Sequence, residues 1–121
     1  MPLPFVPYVK QERRGLLDLY NNSLYAAREF EQAVIPVEKI DCPVLLISGG
    51  KDTLWPAARM ADKICDRAGA KGSRSKWCHL CFPDGGHLPD EEQRVRYIGR
   101  NGIANMVSPS GAMLKFIEEN K

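Results

Sequence analysis

The sequence predicts an α/β fold built on parallel strands, and three observations carry that prediction. Val44, Leu45, Leu46 and Ile47 stand in a row between Pro43 and the Gly49–Gly50 pair. A run apolar on both faces suits a parallel strand covered by helices on each side. A second apolar run, Lys76 to Phe82, follows after a stretch long enough for a helix, and helical periodicity precedes, separates and follows the two runs. Helix, strand, helix, strand, helix is an α/β alternation with a right-handed parallel crossover.

The elements follow in order. The first ten residues contain Pro2, Pro4 and Pro7 and read as extended, because each proline removes a donor and restrains its predecessor. From Gln11 to Val34 the apolar positions Leu16, Leu17, Tyr20, Leu24, Ala27, Phe30 and Val34 keep a helical spacing. Asn21, Asn22 and Ser23 are weak helix formers and mark a point where this segment divides into two helices. Pro36 ends the pattern, and "VEKIDC" is a connector. After the first strand (Pro43 to Ser48), Pro56 suits a first helical turn, and Ala57 to Ala68 forms a helix with Met60, Ile64 and Ala68 inward. "GAKGSRSK" is a solvated loop. Asp84 to Gly102 reads as a polar, turn-rich excursion beyond the second strand. Ser108 to Asn120 closes the chain as a helix with Ser108 at the N-cap and Pro109 at the first position. Its apolar side is expected from Met113, Leu114, Phe116 and Ile117.

A length of 121 residues predicts one domain over 1–121, with an extended and helical lead-in at 1–40 and strand–helix–strand–helix over 41–121. A chain that size buries roughly two thirds of its unfolded surface. The formal net charge of +2 is too small to argue for nucleic acid or an anionic membrane. No apolar run approaches the ~18 residues of a membrane span, and the start lacks a basic-then-apolar signal pattern. The expectation is a cytoplasmic protein. In "CHLC", Cys78 and Cys81 lie on a strand, where residues three apart face opposite sides of the sheet. They read as reduced thiols rather than a metal or redox pair, and no cofactor is implied.

In open α/β sheets functional groups collect beyond the carboxyl ends of the strands. Asp52 follows the first strand by a glycine turn, and His87 follows the second after "PDGG". The crossover makes those strands neighbours, so acid and base meet on one rim, with a carboxylate oxygen roughly 2.6 to 3.2 Å from a ring nitrogen. Aspartate then histidine is the end of the Ser…Asp…His order of α/β-hydrolases. Taken singly, Asp52 also fits a turn or helix cap, and Asp84 is a rival acid inside its own turn. His79 reads as a strand residue with an ordinary hydrogen bond, and Trp55 as a pocket wall or a core residue.

"IPVEKIDCPVLLISGGKDTLWP" followed by "FPDGGH" resembles the C-terminal region of the acyl-CoA thioesterase and bile acid-CoA:amino acid N-acyltransferase family. "PLPFVPY" and "GAMLKFIEEN" suit the same region. The resemblance implies the C-terminal portion of an α/β-hydrolase fold, with two parallel strands, flanking helices and a sheet that is incomplete in this chain. It implies cleavage or transfer of acyl groups from coenzyme A thioesters by a Ser or Cys nucleophile, an Asp and a His. The acid falls on Asp52 and the base on His87. No G-x-S-x-G or G-x-C-x-G elbow occurs in the sequence, and the oxyanion-hole segment belongs to earlier strands. The chain is therefore expected to be inactive alone and to self-associate, or to join a companion chain, through exposed strand edges. Two alternatives stand beside this reading: a catalytically incomplete interaction module, and part of another carboxylester or dienelactone-type hydrolase.

Overall fold

The computed structural model describes residues 15–26, 30–88 and 90–121. The extended reading of the first ten residues, the helical reading of 11–14 and the position of Ala27 lie outside the described residues. Two helices open the described chain, α1 (Leu16–Ala26) and α2 (Phe30–Ala33), and a 3-10 turn at Val37–Lys39 follows. Then come β1 (Val44–Gly49), α3 (Ala57–Ala70), β2 (Trp77–Phe82), β3 (Val95–Ile98), β4 (Ala104–Val107) and α4 (Pro109–Glu119). No helix among the described residues is long and apolar enough to cross a membrane.

β1 and β2 pair in parallel from Val44↔Trp77 to Gly49↔Phe82, with α3 as the crossover. The register places Leu45, Ile47, Cys78, Leu80 and Phe82 on one face, where they join the core with Tyr97, Val107, Ala112 and Phe116. The opposite face looks towards α3, whose Ala61 and Ala68 are buried. Small side chains there let the helix lie close to the strands. Arg67 of α3 makes a two-point contact with Glu38, Nε to Oε2 at 2.8 Å and Nη2 to Oε1 at 3.1 Å, which fastens the 3-10 turn to the helix. Among the described residues no strand pairs with the outer edge of β1.

Three expectations need correction. α1 runs through Asn21–Ser23 without a break. Ser23 is buried there, and its hydroxyl donates to the Leu19 carbonyl at 2.8 Å, so the side chain is satisfied inside the helix instead of competing with it. The Asp84 to Gly102 excursion is not merely turns: it contains β3, which pairs antiparallel with β4 from Val95↔Val107 to Ile98↔Ala104. Val95, Tyr97 and Val107 face the core, while Arg96, Ile98, Ala104 and Met106 face out. The connection uses Asn101-Gly102, with Gly102 at φ +77°, a backbone angle that favours glycine. Tyr97 is 1% exposed, and its hydroxyl donates to Glu119 Oε2 at 2.8 Å. Burial, and then that carboxylate, push its phenol up to about 12.

The third correction concerns α4. Pro109, Ala112 and Phe116 form its buried stripe, whereas Met113, Leu114 and Ile117 are 44%, 66% and 59% exposed. Spacings of three and four from Pro109 select Ala112 and Phe116, and that row faces the hairpin and sheet. The Ser108 cap is formed as the sequence predicts, its hydroxyl accepting from the Gly111 N–H at 3.2 Å.

Candidate active site

The site begins with two glycine pairs. β1 ends in Gly49-Gly50, and the chain after β2 turns through Pro83, Asp84, Gly85 and Gly86. The Gly50 N–H donates to Phe82 O and the Lys51 N–H to Gly85 O, each at 2.8 Å. A Cβ on Gly50 would stand 2.6 Å from Pro83 O. The two loops therefore touch backbone to backbone, an approach that a side chain at Gly49 or Gly50 would block. Lys51 and Asp84 tie the outer surface of the same junction with an ion pair at 2.5 Å.

Asp52 leaves this junction pointing inward, with its side chain 4% exposed. Oδ1 accepts the N–H groups of Leu54 at 2.8 Å and Trp55 at 3.0 Å. Oδ2 lies 3.0 Å from Nδ1 of His87. The turn-capping role and the histidine contact thus coexist, one on each oxygen. Burial alone would raise the carboxyl's pKa, but the Trp55 N–H, the His87 ring and the Leu54 N–H together hold it below the usual carboxylate range.

His87 is 40% exposed, and its second nitrogen is also engaged. The indole Nε1–H of Trp55 donates to Nε2 at 3.2 Å. A carboxylate only accepts and an indole only donates, so these neighbours select the tautomer with its proton on Nδ1. Trp55 in turn stacks on Tyr20 of α1, ring centroids 4.7 Å apart. A cleft of about 170 Å³ opens between this group and the start of α4, lined by Ile47, Phe82, Leu88 and Pro109 beside Asp52 and His87.

The other candidates lie elsewhere. Asp84 faces solvent with Lys51 and does not approach His87 as a partner. His79 sits under α3, with Nδ1 2.9 Å from Asp62 Oδ1 and Nε2 2.7 Å from the hydroxyl of Ser48. This contact joins α3, β2 and β1, and it makes a second Ser–His–Asp set that sequence reasoning missed. Ser48 is only 7% exposed and faces the helix, so the set works as a clasp between helix and sheet. An aspartate on the second turn of a helix gave no sign of it before the crossover was known. Cys42, Cys65, Cys78 and Cys81 are free thiols. Burial pushes the Cys65 and Cys78 thiols up, away from the reactive thiolate. No cluster of three or more metal-ligating side chains occurs among the described residues.

The comparisons with known proteins fit this geometry. No curated protein and no solved structure matches the chain significantly. The family model described as BAAT / acyl-CoA thioester hydrolase C terminal matches residues 6–90, well over half of the chain. That span carries β1, α3, β2, Asp52 and His87, and it ends before the β3–β4 hairpin and α4. A chain with this match and this mixed α/β arrangement, two parallel strands flanked by helices, belongs to the BAAT / acyl-CoA thioester hydrolase C-terminal family.

Proposed function

We propose that this chain supplies the base and its orienting acid for acyl transfer from a coenzyme A thioester. The nucleophile and the oxyanion donors come from outside these 121 residues. The observation that carries the reading is the division of labour on Asp52: Oδ1 is fixed by two backbone N–H groups, which leaves Oδ2 aimed at His87 Nδ1. A carboxylate held this way orients the imidazole, fixes its tautomer and stabilises the imidazolium that forms when Nε2 takes a proton.

In the complete site His87 Nε2 takes the proton of a serine hydroxyl or cysteine thiol as that group attacks the thioester carbonyl. The tetrahedral adduct collapses with loss of the coenzyme A sulfur, to which the same nitrogen returns the proton. Water or another acceptor then enters by the reverse assistance. The cleft of about 170 Å³ is smaller than the ~300 Å³ at which whole-ligand pockets begin. It seats the reacting end of a substrate, and the acyl chain and nucleotide lie against other surfaces. The free thiols fit a reducing compartment such as the cytoplasm.

A second reading, an interaction module without chemistry of its own, is favoured by one observation. Met113, Leu114 and Ile117 are largely exposed on one helix, apolar surface of the kind that marks contact sites. Thiol release from acyl-CoA tests whether the nucleophile lies outside this chain. The chain alone is expected to equal its His87→Ala variant, because base and acid without a nucleophile do not turn over. Turnover that disappears in His87→Ala would place a nucleophile among this chain's own serines or cysteines and contradict the proposal.

A further inference from the structure

His87 has one nitrogen with which to accept a nucleophile's proton, and in this structure that nitrogen is taken. Nδ1 is committed to Asp52. Nε2 carries a single in-plane lone pair, and Trp55 Nε1 is 3.2 Å from it. The two rings are nearly parallel, at 20°, with centroids 6.0 Å apart. The indole N–H is aimed at that nitrogen. The position that Trp55 Nε1 occupies relative to the imidazole is the one that a hydroxyl or thiol must occupy to give up its proton.

We propose that Trp55 closes the acceptor face of His87, so that the base is held in a blocked state until a nucleophile-bearing segment displaces the indole. This deepens the reading of His87 as general base and rests on it. Three observations support a held but movable block. The backbone N–H of Trp55 is bonded to Asp52 Oδ1, so the acid that orients the base also positions its blocker. Tyr20 stacks on the indole from α1 and holds it against the imidazole. Yet Trp55 is 40% exposed, which leaves it solvent-side space to swing into without disturbing the core. Displacement trades one donor for another at Nε2 and costs no net hydrogen bond there. The chain thereby keeps its base oriented and closed, and the arrival of the nucleophile opens it.

The test is the rate at which diethyl pyrocarbonate acylates His87, followed by mass spectrometry on the full chain. The reagent is attacked by an unprotonated imidazole nitrogen, so a capped Nε2 reacts slowly. The sequence has two histidines, and His79, held by Ser48 and Asp62, is the internal reference. Trp55→Phe keeps an aromatic ring for Tyr20 and removes the N–H together with the five-membered ring that carries it. It is expected to accelerate modification of His87 by a few-fold to about tenfold, the range that one net hydrogen bond is worth, with His79 unchanged. Equal rates at His87 in both proteins would overturn the proposal. A measurement on the unaltered chain stands beside it: nitrogen-15 NMR should show scalar coupling between Trp55 Nε1 and His87 Nε2 across the bond. Absence of that coupling while the His87 Nδ1 proton is still seen bonded to Asp52 would remove the block and leave the acid–base pair. Absence of the Nδ1 proton signal would remove both.

Discussion

A Cβ on Gly49 would overlap the carbonyl oxygen of Gly86 and stand 2.5 Å from that of Gly85. The end of β1 and the loop before His87 are in backbone contact, and this contact sets the distance between acid and base. Replacing Gly49 by alanine must push the two loops apart, since neither partner atom belongs to a side chain that can turn away. Overpacking of this kind costs roughly 1–3 kcal/mol. Urea unfolding of Gly49→Ala should show that loss, and the His87 Nδ1 proton should lose its hydrogen-bonded NMR signature. An unchanged midpoint and signal would mean that the loops do not touch in solution.

Asp52→Asn separates the two duties of the carboxylate. An asparagine oxygen can still accept from Leu54 and Trp55, but its amide then presents N–H groups to His87 Nδ1. The ring must move its proton to Nε2, where the Trp55 N–H now meets another donor. The Trp55–His87 bond should break in this variant, read as loss of the coupling between the two nitrogens. Stability should respond to pH as well. The folded carboxyl lies below its ordinary value of 3.8, so its contribution is fully present above that value and fades as pH falls through the lower folded one. The stability gap between the native chain and Asp52→Asn should therefore close as pH falls below about 4, near the unfolded carboxyl pKa. A gap that widened below that pH would contradict the assignment.

What could be read in the sequence was local or strongly periodic. Val44 to Ile47 and the run to Phe82 announced two strands, the span between them a helix, and Ser108-Pro109 a helix start. Asp52 and His87 were legible because a crossover carries the ends of both strands to one rim. The β3–β4 hairpin was missed although "VRYIGRNGIANMV" contains its signal, an Asn-Gly turn between alternating apolar residues. Arg94, Arg96 and Arg100 made the stretch look solvated, yet Arg94 and Arg96 alternate with Val95 and Tyr97, which face the core. The inward side of α4 was misjudged because bulk suggested Met113, Leu114 and Ile117, while the packing selects Ala112 for its small size beside Phe116. The Trp55–His87 and Asp62–His79–Ser48 contacts join residues whose distances in sequence carry no periodic signal. They exist only once the sheet has formed.

The outer edge of β1 has no partner strand among the described residues, and Val44 to Ile47 are only half-buried. An edge of this kind presents free donors and acceptors to another chain. Sedimentation at micromolar concentration is expected to show a dimer or larger species. A cooperatively unfolding monomer would mean that the chain's own residues cover the edge.

The central claim, that Asp52 and His87 are the acid and base of acyl-CoA cleavage, is tested most directly by a chimera. This chain would replace the corresponding C-terminal region of an active family thioesterase that retains its own nucleophile, and kcat for acyl-CoA hydrolysis would be measured. The chimera should turn over, and His87→Ala should lower kcat by roughly 10³-fold or more, with Asp52→Asn also causing a large loss. A His87→Ala chimera that keeps the parent's kcat within about tenfold, a deficit of only ~1.4 kcal/mol in barrier, would contradict the account.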